Sequence, residues 1–109
     1  MVTIIYTDKK IAGFWGMNSR SAWALGIKKY FPYSDNTIAI WSKTDSGKCK
    51  WLIEHETREL NLMKKGLSYR EAHARTLVKM GEYATLEAAR RDANRMIQQA
   101  KEWKRKYDK

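Results

Sequence analysis

The residues best equipped for chemistry lie in one stretch, Trp51 to Met63, which carries His55-Glu56-x-x-Glu59. On a helix, His55 and Glu59 stand four apart and point the same way from adjacent turns, as two ligands of one metal must. Glu56 directly follows the first ligand. In His-Glu-x-x-His motifs that position is the general base acting on metal-activated water. The other histidine of the chain, His73, falls on the next predicted helix, on an apolar face with Tyr69, Ala72, Thr76, Leu77 and Met80. An antiparallel turn at Gly66-Leu67 brings the two faces together. His55, Glu59 and His73 then form a His₂Glu set that leaves a fourth position for water, the pattern of a catalytic zinc (Zn2+) site.

The helical wheel strengthens the case. At about 100° per residue, Leu62, His55, Glu59, Leu52, Met63, Glu56, Leu60 and Ile53 occupy one half. Lys64, Thr57, Asn61, Glu54, Lys65 and Arg58 occupy the other. One imidazole and two carboxylates therefore sit in the middle of an apolar face. Burying them costs several kcal/mol unless they are paired or metal-bound. A purely structural cluster is the alternative: His55 and Glu59 as an intrahelical pair, His73 as a satisfied core histidine, and Glu56 against a buried Arg or a Tyr hydroxyl.

The elements that must position these groups can be read along the chain. Val2–Tyr6 is β-branched and reads as a strand. Thr7–Lys10 reads as a turn, and Ile11–Trp15 as the return strand of a hairpin, weakened by Gly13 and Gly16. Asn18 or Ser19 can cap a helix over 20–30, with Gly26 inside it. Pro32 lies in a loop over 31–36, Thr37–Trp41 reads as the second strand, and 42–48 is a polar turn. From Lys48 onward the pattern is helical. The motif helix runs to Gly66. Ser68-x-x-Glu71 has the capping-box form and opens a helix to Met80. Thr85 caps a last helix towards Lys106. The expected fold is α+β, one domain over 1–109: a small N-terminal antiparallel sheet with a backing helix, followed by three helices.

Ile53-Glu54-His55-Glu56-x-x-Glu59, then Leu62-Met63-x-x-Gly66-Leu67-Ser68-Tyr69-x-x-Ala72-His73, resembles the minimal zincin-like metallopeptidase domains of phage, mobile-element and archaeal proteins. The resemblance covers about residues 37–80. It implies His55, Glu59 and His73 as zinc ligands and Glu56 as the base, with a peptide or protein substrate. It also makes Thr37–Trp41 the cleft rim, where an extended substrate can add as a strand. Glu59 stands where the second histidine of the common pattern lies, and His73 where one branch has Glu, so the ligand set is kept with its order exchanged. Tyr69 is the nearest candidate to steady an oxyanion, or else packs.

The chain has 22 basic and 12 acidic residues, a formal net charge of +10. That favours anionic partners such as nucleic acid, a membrane surface or an acidic protein; solubility alone is the plainer explanation. The single Cys49 excludes an internal disulfide and a thiolate metal site. No apolar run approaches the ~20 residues of a membrane span, and the N-terminal residues lack a secretory pattern, so a cytoplasmic location is expected. In the last helix Leu86, Ala89, Ala93, Met96, Ala100, Trp103 and Tyr107 form a heptad-like stripe. It suits packing on the domain's own core, a homodimer seam or a lid over the cleft. The other faces carry Arg90, Arg91, Arg95, Lys101, Lys104, Arg105 and Lys106, which with Trp103 and Tyr107 suggest a nucleic-acid contact. A basic helical nucleic-acid-binding module with a structural His/Glu cluster is therefore the competing function.

Overall fold

The computed structural model describes residues 1–108. Its elements are β1 (Thr3–Thr7), β2 (Gly16–Asn18), α1 (Ser19–Ala24), a 3-10 turn (Lys28–Tyr30), β3 (Thr37–Trp41), α2 (Ser46–Lys64), α3 (Tyr69–Lys79) and α4 (Leu86–Tyr107). The class is α+β, as the sequence predicts, with α1 following the small N-terminal sheet's second strand and three helices after the third.

The pairing within that sheet differs from the expected antiparallel hairpin. The strand order is β1-β3-β2. β1 runs parallel to β3, from Thr3 opposite Thr37 to Thr7 opposite Trp41. β2 runs antiparallel to β3, with Gly16 opposite Ile40 and Asn18 opposite Ile38. Residues 11–15 form no return strand. Ile11 and Phe14 bond to each other across a tight turn instead, which carries the chain away from β1 and frees it to pair with β3. β3 is thus the central strand. The expectation that Thr37–Trp41 forms the cleft rim is incorrect, because both of its edges are taken.

β3 shows why two-residue periodicity positions the site. Ile38 and Ile40 pack with Leu52 and Leu60 of α2, while Ala39 joins Met17, Phe14, Ala22 and Phe31 in a second cluster. Cross-strand partners share a face of the pleat. Asn18, opposite Ile38, is therefore turned towards α2, and this register delivers its side chain to the motif helix.

The helix over 20–30 is shorter than predicted. Gly26, expected inside it, ends it instead. Its φ of +73° lets the Ile27 N–H reach the Ala22 carbonyl and the Gly26 N–H reach the Trp23 carbonyl, a Schellman closure. Gly66, at φ +103°, ends α2 in the same way, through Leu67 to Leu62 and Gly66 to Met63. That turn is tight enough to fold α3 back along α2. Ser68 then caps α3 through the Glu71 N–H. In α4, Ala89, Ala93 and Ala100 are buried. Ala89 packs with Ala74 and Leu77 of α3, and Ala100 joins the main cluster. The heptad-like stripe thus faces the domain's own core as far as Trp103, while Tyr107 at its end is exposed.

Candidate metal centre

His55, Glu56 and Glu59 are buried on α2, and His73 on α3, at exposures of 4%, 6%, 1% and 7%. The predicted trio converges. Glu59 Oε2 lies 2.8 Å from His55 Nε2 and 2.8 Å from His73 Nδ1, and the two nitrogens lie 3.3 Å apart. Glu56 does not join that triangle. Its Oε1 accepts from Asn18 Nδ2 at 2.9 Å, and its side chain lines the same cleft.

Residues beyond the motif complete the cluster. Asn18 caps α1 by accepting from the Ser21 N–H at 2.9 Å, and its amide reaches Glu56 and, at 3.3 Å, Glu59 Oε1. The Ser21 hydroxyl donates to Glu59 Oε1. One oxygen of Glu59 is thereby held from α1 while the other faces the histidines. His73 Nε2 donates to Asp92 Oδ2 of α4 at 2.9 Å. An ionised carboxylate only accepts, so Nε2 carries a proton. Trp51 stacks on His55 at 5.0 Å and 19°, and Tyr69 stacks on His73 at 5.3 Å and 23°. The Tyr69 hydroxyl comes within 3.4 Å of His73 Nδ1.

Sequence reasoning missed Asp92, Ser21 and the second role of Asn18. Asp92 carried a signal, since it stands three residues after Ala89 and four before Met96 on the core-facing side of α4. That is the same oddity of a carboxylate on an apolar face that drew attention to α2. Ser21 and Asn18 lie in a segment distant in sequence, and only the β2 register brings them to Glu59.

The electrostatics follow from crowding charge in a dry site. Burial, reinforced by the charge of Glu59, pushes the Glu56 carboxyl up to about 7. Burial acts on Glu59 in the same sense, but hydrogen bonds from His55 and His73 outweigh it and hold Glu59 below the usual carboxylate range. Burial disfavours a charged His73. Asp92 and Glu59 overcome that and raise it to about 10. His55 is raised by the same contest, with Glu59 as its main partner. Burial, then the negative Glu59, keeps the Tyr69 phenol protonated well above its ordinary range. Without another cation, the cluster thus attracts protons to its histidines.

The donor set also fits a divalent ion in place of those protons. A point about 2.0–2.1 Å from all three facing atoms, the ordinary zinc–nitrogen and zinc–oxygen length, exists about 1 Å out of the plane of their triangle. The 3.3 Å between the two nitrogens is close to the edge of a tetrahedral zinc shell, while the two 2.8 Å contacts of Glu59 Oε2 are hydrogen-bond lengths that would open around an ion. Asp92 fixes the His73 tautomer as a carboxylate behind a metal-bound imidazole does. His55 is less well supported, because its Nδ1 is buried with no hydrogen-bond partner. A metal ion would be held by His55, Glu59 and His73, which are grouped closely enough to share one.

Comparison with family models, with characterised proteins and with solved structures finds no match to this chain. What the site can do must be judged from its surroundings. His55, Glu56, Glu59 and His73 line a cleft of about 430 Å³. One wall is the segment from Gly13 to Met17. The others come from Trp51 and Leu52 of α2, Leu77 of α3, and Asp92, Met96 and Gln99 of α4. α4 is therefore a wall of this cleft. β2 is an edge strand of the sheet, and its Gly16 and Met17 line the cleft, but all three of its residues are buried. The cleft is mainly apolar, with the histidine–carboxylate cluster, Lys48 and Gln99 as its polar groups, a common composition for a ligand site.

Proposed function

We propose that this chain is a small zinc-dependent hydrolase acting on peptide bonds, with His55, Glu59 and His73 as the ligands and Glu56 as the base. The observation that carries this reading is the convergence of three ligand atoms beside a fourth, separately held carboxylate, all facing one cleft. When bound, the ion supplies Lewis-acid polarisation of a carbonyl and acidifies water. Glu56 takes up a proton at its carboxylate, whose affinity for a proton burial raises and which sits beside the three ligand atoms. Asn18 holds Glu56 by one oxygen and leaves the other available. The protonated Tyr69 hydroxyl is placed to donate to negative charge developing near His73. The segment Gly13–Met17, which walls the cleft beside the ligand cluster, supports an extended peptide as substrate, since such a chain could lie along it. The apolar walls favour large apolar side chains beside the bond cut.

A second reading, a structural polar cluster, draws support from Asn18, Ser21 and Asp92, which satisfy much of the cluster from the protein itself. The nucleic-acid role proposed for the basic last helix has less behind it. Arg90 grips Glu71 with two bonds of 2.8 Å, Arg91 pairs with Glu87, Arg95 with Asp92, and Lys104 donates to the Leu25 carbonyl. No helix among the described residues is long and apolar enough to cross a membrane.

The deciding experiment measures metal content and peptide cleavage on the same preparation. One equivalent of zinc is expected, with cleavage of unstructured peptides that Glu56→Gln abolishes while zinc is retained. Zinc with no cleavage difference between wild type and Glu56→Gln would leave a structural site. No zinc after purification in zinc-containing buffer would end the metal reading.

A further inference from the structure

A separate cavity of about 410 Å³ lies between α2 and α3. It shares no lining residue with the histidine cleft. Its walls carry Arg58 and Asn61 from α2, Lys65 at the C-cap of α2, and Arg75 and Lys79 from α3, with Thr76 between the last two. No acidic side chain among the described residues lines it. Arg58 gives its Nε to Glu54 at 3.0 Å, and Arg75 stands 3.9 Å from Glu71. No ion pair among the described residues takes up Lys65 or Lys79.

Thr76 is the informative residue. It is 1% exposed, and its hydroxyl is buried without a hydrogen-bond partner. A threonine inside a helix ordinarily bonds back to the carbonyl of the preceding turn, and buried polar groups in native proteins are nearly all satisfied by protein, water or an ion. Here the unused donor belongs to a residue of the cavity wall, which it shares with four cations and an amide. Those donors outnumber the two oxygens of a carboxylate. They suit a doubly charged tetrahedral oxyanion, whose several acceptor oxygens can take guanidinium, ammonium and hydroxyl bonds together.

We infer that this cavity binds a phosphate group, with Thr76, Arg58, Lys65, Arg75 and Lys79 as its donors. The group belongs either to a phosphodiester backbone or to a free phosphate-bearing small molecule.

The test compares inorganic phosphate with chloride at matched ionic strength, reading thermal midpoint and binding heat on the full chain. Phosphate should raise the midpoint of the wild type. Thr76→Val keeps the shape and removes the hydroxyl, so its midpoint in chloride should be equal or higher, while its phosphate affinity falls at least about tenfold. The double variant Lys65→Ala/Lys79→Ala, altered only at exposed positions, should lose affinity by at least as much. A phosphate effect no larger than that of chloride overturns the site, as does an effect that survives unchanged in both variants. A single-stranded oligonucleotide then separates the two sources. Displacement of phosphate assigns the cavity to a phosphodiester, and persistence of bound phosphate assigns it to a small molecule.

Discussion

His73 Nε2 donates to Asp92 Oδ2 at 2.9 Å across the α3–α4 seam, while the opposite ring nitrogen faces Glu59 at 2.8 Å. The imidazole is therefore held between two carboxylates: both nitrogens donate in the metal-free protein, and a metal would take the place of the proton on the nitrogen facing Glu59 while the proton facing α4 stays. Groups behind a metal-ligating histidine typically contribute about 10–100-fold in metal affinity. Asp92→Ala should weaken zinc binding by that factor, and Asp92→Asn by less, since an amide oxygen can still accept. Competition with a chromophoric chelator measures both. Equal affinity in wild type and Asp92→Ala would show that the α4 contact does not orient His73.

Much of this cluster was legible because α2 and α3 are regular helices joined by a short turn. Angular position on α2 is enough to bring His55, Glu56 and Glu59 to one side, and Gly66 fixes the return that brings His73 to them. The β pairing was not legible. Ile11–Trp15 is near β1 in sequence, and local reasoning favours a hairpin. The actual partner of β1 is the later strand β3, whose parallel pairing depends on the helix between them. Asn18 was readable as a cap but not as a partner of Glu56, because that contact depends on its register opposite Ile38.

Asn18 joins two roles that substitutions can separate. Its side-chain oxygen caps α1 and its amide donates to two buried carboxylates. Asn18→Ala removes both. Loss of a cap is about 1 kcal/mol, and buried acceptors left unsatisfied add about 1–3 kcal/mol, so a loss of about 2–4 kcal/mol is expected in urea unfolding. Asn18→Asp keeps a good capping oxygen but replaces the donor with a charge beside Glu56 and Glu59. It should destabilise the metal-free protein at least as much as Asn18→Ala. An Asp variant as stable as wild type would mean that capping is the residue's whole contribution.

Asp35 gives a pH signature away from the cluster. Its carboxylate accepts from Arg20, at 2.7 Å from Nη2, from the Ser19 hydroxyl and from the Asn36 N–H. Arg20, foremost among these, holds Asp35 well below its ordinary range against the opposing effect of burial. A carboxyl with a lowered folded pKa stabilises above its unfolded value, near 4, and loses that contribution as pH falls through the folded value. The gap in thermal midpoint between wild type and Asp35→Asn should thus be full at pH 7 and shrink steadily below about pH 4. The pair is about one-third exposed, so the gap should be small and reduced by salt. A gap that stays constant from pH 7 to pH 2 would assign the effect to packing rather than charge.

Metal removal should be the largest perturbation, because the cluster would then have to satisfy itself with protons. His55 and His73 both direct a nitrogen at Glu59 Oε2, and without a shared cation two N–H groups must crowd onto one oxygen. A ligand held only by the folded state adds about 2.7 kcal/mol at a hundred times its dissociation constant. For a domain of this size each kcal/mol shifts the midpoint by about 4–8 °C. Chelation should therefore lower the midpoint by roughly 10–20 °C relative to zinc-saturated protein, reversibly on adding zinc back. The difference between the two conditions should vanish in Glu59→Gln and in His73→Gln, whatever those variants do to the metal-free midpoint. That internal control separates a ligand from a core residue, since a residue that only packs would shift both midpoints together and leave their difference intact.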